Sequence, residues 1–141
     1  MKIYIIRGEP VALARARVAH HRVYDSQKQL KLLWGLELRK QHSNDPVLQG
    51  PIFLDVIFYM PIPGSYSNKK RVQLNNQWFI FKPDSSNLLK MIEDIAQEIC
   101  YKDDCTISKI SVEKVYDDGN GPRTEFILTE LKEKREPRKF Q

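Results

Sequence analysis

The stretch that decides the fold runs from position 82 to position 100 and reads KPDSSNLLKMIEDIAQEIC. Pro83 stands immediately before Asp84, an arrangement typical of the first turn of a helix. Apolar residues then recur at helical spacing and predict an amphipathic helix that ends near Cys100: Leu88, Leu89, Met91, Ile92, Ile95, Ala96 and Ile99. One face of this helix should therefore pack against the core.

Strand patterns lie on both sides of this helix. Residues 52–60 read IFLDVIFYM, which is β-branched and aromatic throughout and is the strongest strand signal in the chain. Residues 107–116 and 124–129 alternate less regularly, and the Asp/Gly-rich residues 117–122 between them predict a hairpin connection. The helix is therefore expected between two strands.

The N-terminal part of the chain supplies one more strand and one more helix. Residues 2–7 predict a strand, and residues 26–42 predict a helix in which Trp34 belongs to the core or to a dimer interface. Residues 9–24 have no clear apolar period and predict an ordered basic loop. Residues 64–77 are compatible with either a short helix or a flexible loop.

The order of these elements, β-α-β-α-β-β, predicts an α+β fold with a mixed sheet and two helices. A length of 141 residues suits one domain, which we place at residues 1–130, followed by a charged, frayed tail at 131–141. No apolar run is long enough to cross a membrane, and the first residues do not resemble a signal peptide. We therefore expect a cytoplasmic protein. Cys100 and Cys105 lack a second Cys/His pair to complete a zinc site and are interpreted as structural thiols.

Charge is distributed unevenly along the sequence. The net charge is +5, and acidic residues concentrate between Asp84 and Asp118 with basic residues on both sides. A metal-dependent phosphodiesterase needs carboxylates for its cation and Lys or Arg for the DNA phosphates. The distribution therefore favours a nuclease, although many basic proteins bind no nucleic acid.

The acidic residues flanking the helix are the candidate metal ligands. Asp84 opens the helix, and Asp103 and Asp104 follow it and lead into the next strand. If that strand lies beside the start of the helix, Asp84 and Asp104 can converge on a magnesium ion, and Lys90 can reach the scissile phosphate. The ordinary alternative is a helix N-cap, a turn and a solvated lysine, and spacing alone favours that alternative.

The motif itself is more specific than its spacing. The block from Lys82 to Asp94, followed by Asp103-Asp104, resembles the signature of the RusA family of Holliday junction resolvases, Lys-Pro-Asp-x-Asp-Asn-Leu-x-Lys with a later Asp-Asp pair. The resemblance extends over residues 3–130. It includes the opening from Gly8 to Arg17, the Ser/Lys-rich stretch from Ser65 to Arg71 that is similar to phage-type members, and Lys114.

The resemblance implies a homodimeric, magnesium-dependent endonuclease that cuts four-way DNA junctions in recombination and repair, as in phage or prophage members. Manganese is a possible substitute for magnesium. Asp84 matches the first metal-binding aspartate of the family, Asp104 matches the third, and Lys90 matches the catalytic lysine. Asp103 is a less certain ligand, and Asp94 is expected to support the helix or the site.

One family position differs in this chain. Ser86 stands where the family has its second metal-binding aspartate, so the site loses one negative charge. Asp103 or Glu93 could turn inward, or a water held by Ser86 could fill the position. Alternatively, the protein binds branched DNA and cleaves it weakly or not at all.

Basic residues outside the acidic block are the candidate DNA contacts: Arg15, Arg17, Lys69, Lys70 and Arg71. Such residues position the phosphate backbone without recognising sequence, which suits a structure-selective enzyme. Phe79 and Phe81 could insert into a junction, but packing on a strand is the favoured interpretation. A third alternative is an α+β interaction module whose charges all lie on its surface.

Overall fold

The computed structural model describes residues 2–140 and confirms the α+β fold. The described residues form six strands and three α-helices: β1 (Ile3–Arg7), β2 (Arg17–Ala19), β3 (Arg22–Tyr24), α1 (Lys28–His42), β4 (Ile52–Met60), α2 (Asn68–Leu74), α3 (Ser85–Ala96), β5 (Ile107–Tyr116) and β6 (Arg123–Glu130). A 3-10 turn at Asp104–Thr106 leads directly into β5. None of the helices in this part of the chain combines the length and the apolar character needed to cross a membrane.

The main sheet has four strands in the order β1-β6-β4-β5. β4 pairs in parallel with β5, whereas β6 runs antiparallel to both β4 and β1, so the sheet is mixed as expected. Parallel neighbours need a crossover connection, and α3 lies within it. Its apolar stripe is buried together with Val56 and Phe58 of β4, which fixes the position of the helix over the sheet.

The predicted hairpin at residues 117–122 is wrong. β5 and β6 are not neighbours, because β4 lies between them. The connection instead crosses the end of β4, where the Asp117 amide donates to the Met60 carbonyl oxygen at 2.8 Å. The Asp117 carboxylate accepts hydrogen bonds from the Gly119 and Gly121 amides at 3.1 and 2.9 Å. These bonds shape a turn whose composition resembles that of a hairpin, although its strands pair elsewhere.

The basic segment at residues 9–24, predicted as a loop, contains the short hairpin β2–β3. Its turn residues His20 and His21 have φ angles of 49° and 62°, and two consecutive positive φ values are typical of tight hairpin turns. All residues of both strands are exposed. With no buried face there is no apolar alternation, and this is why the sequence pattern did not reveal the strands.

The segment at residues 64–77 contains α2, so the choice left open in the sequence is decided in favour of a short helix. Ser67 caps this helix, since its side-chain oxygen accepts from the Lys70 amide at 3.2 Å. The described residues thus contain three helices rather than the two expected. The proposed domain end at residue 130 and the frayed tail stay predictions; residues 131–140 carry no helix or strand, and Gln141 lies outside the described residues.

Candidate active site

Asp84 occupies the N-cap position of α3 but does not cap it with its side chain. Its carbonyl oxygen accepts from the amides of Asn87 and Leu88 at 3.1 and 3.2 Å, as expected for an N-cap backbone. The carboxylate makes no capping hydrogen bond and is exposed. The helix-cap interpretation therefore explains the backbone of Asp84 but leaves its carboxylate available for another role.

Lys114, on β5, holds the segment that leads into Asp84. Its ammonium donates to the carbonyl oxygens of Phe81 at 2.6 Å and Pro83 at 2.7 Å. The backbone of the same lysine accepts a hydrogen bond from the Phe79 amide at 3.0 Å. These contacts attach the start of α3 to the edge of the sheet. The sequence did not reveal this role, because a single lysine in a strand carries no signal about which carbonyl groups it meets.

The two aspartates that follow α3 have different environments. Asp103 caps the 3-10 turn, with one carboxylate oxygen accepting from the Cys105 amide at 3.0 Å. That hydrogen bond lowers the pKa of the Asp103 carboxyl. Ordinary turn chemistry therefore accounts for Asp103. Asp104 has no basic side chain within ion-pair distance among residues 2–140.

Asp104 lies near the polar face of α3. Burial raises the pKa of the half-buried Glu93 carboxyl, the negative charge of Asp104 raises it further, and the positive charge of Lys90 opposes both. Ser86, Lys90 and Glu93 are spaced four and three residues apart, so they share one face of the helix. Lys90 and Asp104 thus both lie close enough to Glu93 to influence its pKa. Ser86 lies one helical turn before Lys90. Glu93, which the sequence offered as one possible replacement for the missing aspartate, therefore lies close to Asp104.

The carboxylates are not already gathered into a complete metal site. Nowhere in residues 2–140 do three or more His, Cys, Asp or Glu side chains form a group that could hold a metal ion. The available donors, the Asp84 and Asp104 carboxylates, are of the hard oxygen type that Mg²⁺ prefers. The donor chemistry fits such a cation, and the assignment of ligands stays a prediction.

Asp94 has a structural partner. Its carboxylate lies 3.1 Å from the ammonium of Lys31 on α1, which also donates to Asp25 at 2.5 Å. Lys31 thereby links α3 to α1 and to the segment just before α1. This agrees with the expectation that Asp94 supports the helix rather than binding metal.

The residues predicted to contact DNA differ in their exposure and in whether they already make hydrogen bonds within the protein. Arg15 and Arg17 are exposed in and before β2, and Lys69 and Lys70 are exposed on α2. Arg71 instead donates to the carbonyl oxygen of Pro63 at 2.8 Å, which ties α2 to the end of the preceding segment. Arg71 therefore has a structural role whether or not it also meets DNA.

The aromatic residues before Asp84 are divided between packing and exposure. Phe79 packs edge-on against Tyr116 with ring centroids 4.9 Å apart, in agreement with the expected strand packing. Its neighbours Trp78, Ile80 and Phe81 are exposed, and Trp78 forms an isolated antiparallel bridge to Val115. The packing favoured for Phe81 from the sequence is therefore wrong, because this side chain is exposed. For Trp78 and Ile80 the sequence predicted only a short extended segment.

Comparison with known proteins places this arrangement in context. The family model described as endodeoxyribonuclease RusA matches residues 7–128. A protein of Bacillus subtilis (strain 168), described as uncharacterized protein YqaN, is 30% identical over 138 residues, covering 91% of this chain and 95% of that protein. The family match includes the start of α3, Lys90, the Asp103-Asp104 pair and Lys114.

Proposed function

The chain belongs to the RusA endodeoxyribonuclease family, and on that premise we propose that it is a magnesium-dependent endonuclease that resolves four-way DNA junctions as a homodimer. Asp84 and Asp104 are the metal ligands in this proposal, with Asp103 as a weaker candidate. Lys90 is the catalytic cation. Manganese would replace magnesium because both favour oxygen ligands.

The observation that carries the proposal is the unused carboxylate of Asp84. An aspartate at an N-cap ordinarily accepts a hydrogen bond from the first turn of its helix. Asp84 makes no such bond, although Lys114 holds the preceding segment firmly against β5. A carboxylate that is exposed on a well-anchored backbone is suited to binding a cation.

In this proposal, different residues of the chain would bind the metal ion, stabilise charge on the phosphate and bind the DNA. A bound divalent cation would supply an activated water and neutralise charge on the phosphate. Asp84 and Asp104 would hold it, while the exposed ammonium of Lys90 would stabilise negative charge that develops on the phosphate oxygens. Exposed Arg15, Arg17, Lys69 and Lys70, with Arg71 beside them, would bind flanking phosphates and position the junction.

A second candidate function is junction binding with weak or lost cleavage. Ser86 is exposed in the first turn of α3, and a hydroxyl brings no negative charge to the cation. Glu93 lies on the same helix face but about 10 Å further along the axis, at 1.5 Å per residue. At that distance Glu93 would not take the place of the missing carboxylate. The metal would then be held by fewer carboxylates than the family pattern provides.

The deciding experiment compares the natural chain with Ser86→Asp on a synthetic four-way junction in magnesium. Ser85→Asp is the matched control, because it adds the same charge to the same helix end at the neighbouring position. Nuclease function predicts that the natural chain nicks the junction and spares linear duplex. The binding alternative predicts an inert natural chain and a rate increase of orders of magnitude for Ser86→Asp alone.

A binding measurement separates both proposals from a plain interaction module. Gel-shift titrations against a four-way junction and a linear duplex are repeated as the salt concentration rises, because salt weakens nonspecific phosphate contacts most strongly. Equal affinity for the two DNAs at moderate salt would rule out a junction-specific function. Manganese binding, followed by electron paramagnetic resonance, should weaken in Asp84→Asn and Asp104→Asn if these residues are ligands.

A further inference from the structure

Three large apolar side chains are exposed just before the candidate site. Trp78, Ile80 and Phe81 have 66%, 81% and 59% of their surface accessible. They fall within four consecutive positions, and the last is three residues from Asp84. Large exposed apolar side chains concentrated beside a candidate site are typical of a binding surface.

This apolar segment is anchored to the sheet. Trp78 bridges Val115 on β5, and the ammonium of Lys114 holds the Phe81 carbonyl oxygen at 2.6 Å. Phe79, between the exposed residues, packs edge-on against Tyr116 of β5 and lies 5.8 Å from the Phe81 ring. The exposed rings therefore project from a well-supported backbone, so little conformational freedom is lost when a partner binds.

The charge of the chain next to this segment favours a nucleic-acid partner. Residues 64–83 contain four basic side chains and no Asp or Glu: the basic ones are Lys69, Lys70, Arg71 and Lys82. Aromatic rings beside cations suit unpaired nucleic-acid bases, whose flat faces stack while the cations meet the phosphates. A second copy of this chain fits less well, because a twofold contact here would bring these positive charges close to their own copies.

We propose that Trp78, Ile80 and Phe81 form a stacking platform for unpaired bases at the branch point of the DNA. This inference rests on the proposed junction-cutting function and adds to it how a branch is distinguished from a duplex. Lys82 binds the phosphate next to the stacked base, and the following phosphodiester is thereby delivered to Asp84. In an unbroken duplex all bases remain stacked on each other, so the platform has nothing to bind.

The test uses the full chain without metal, so that binding is measured apart from cleavage. A four-way junction carrying 2-aminopurine at the branch point reports unstacking through its fluorescence. Trp78→Ala combined with Phe81→Ala should weaken junction binding about 5- to 150-fold, the range expected for losing base–aromatic stacking. It should also abolish the 2-aminopurine change while leaving duplex affinity unaltered. Trp78→Phe should retain both signals.

Val72→Ala is the matched control, since Val72 is exposed on α2 outside the platform. Thermal unfolding by circular dichroism checks that each variant is folded, and Phe81→Leu, which keeps apolar bulk without a ring, replaces the double variant if that one fails. Unchanged junction affinity and 2-aminopurine signal would overturn the proposal. A loss of self-association in sedimentation, with the 2-aminopurine signal intact, would overturn it in favour of a copy-to-copy contact. A natural chain that fails to cut but shows the Trp78- and Phe81-dependent signal would refute the nuclease function and keep the platform.

Discussion

The chain contains two Asp-Asp pairs, and the structure uses them in opposite ways. In the β5–β6 connection, Asp118 receives both arms of the Arg123 guanidinium at 3.0 Å, and this contact holds the pKa of the Asp118 carboxyl well below its usual range. Arg123 is only 6% exposed and lies 3.8 Å over the Tyr59 ring. Asp117 accepts backbone hydrogen bonds in the same turn. This pair is committed to structure.

The Asp103-Asp104 pair is only partly used by the fold. Asp103 completes a turn, whereas Asp104 and nearby Glu93 have no basic partner within 4 Å among the described residues, and Asp84 shares that property. Carboxylates that support a fold are satisfied by it, whereas a carboxylate proposed as a metal ligand must keep its oxygens free of other partners. The two pairs have the same composition and differ in whether the fold already uses both of their carboxylates.

The largest effect is expected when the available carboxylate is neutralised. Asp84→Asn should reduce single-turnover junction cleavage on the order of 10²–10³-fold, the loss typical of removing one electrostatic contribution to a transition state. Junction binding without metal and thermal stability should stay near those of the natural chain. Asp94→Asn is the control on the same helix, and it should cut normally because Asp94 pairs with Lys31. Equal losses of cleavage in both variants would contradict the division between available and committed carboxylates.

A smaller effect, on the free energy of unfolding, is expected when the contact between Arg123 and Asp118 is removed. Arg123→Met should lower the free energy of unfolding by about 2–4 kcal/mol, because it removes charge-assisted hydrogen bonds and leaves Asp117 and Asp118 without their cation. Urea unfolding followed by circular dichroism measures this change. Lys132→Met removes the exposed pair with Glu130 and should alter stability by less than about 0.5 kcal/mol. If the two variants were equally stable, the Arg123 network would not be structural.

The smallest effect is expected when the unpaired Glu93 carboxylate is neutralised, because its charge only slightly lowers the free energy of unfolding. Glu93→Gln should raise the free energy of unfolding by a few tenths of a kcal/mol at neutral pH in the absence of metal, because burial and the nearby Asp104 both disfavour its charge. Glu113→Gln, at an exposed position of β5, is the control and should have no effect on the free energy of unfolding. Destabilisation of more than about 1 kcal/mol by Glu93→Gln would indicate that Glu93 is a partnered residue after all.

Much of the fold could be predicted because its signals are local. The pattern of IFLDVIFYM marks β4 with its observed bounds, Ile52–Met60, and the apolar stripe after Asp84 marks α3. The order of neighbouring strands could not be read in the same way. Residues 117–122 have the composition of a hairpin, and only the pairing of β6 with β4 and β1 shows that they connect strands that are not adjacent.

For the candidate site, too, some features were evident in the sequence and others only in the tertiary structure. The sequence by itself indicated the family, singled out Asp84, Lys90 and Asp104 as candidate site residues, and showed the departure at Ser86, because these are residue types at fixed positions along the chain. Only the tertiary structure decided that Lys114 anchors the segment before α3 and that Arg123 binds Asp118. It also decided that Trp78 and Phe81 are exposed. The reason is physical: periodicity records which face of an element is buried, whereas hydrogen bonds and ion pairs join groups that are distant in the chain and near only once it has folded.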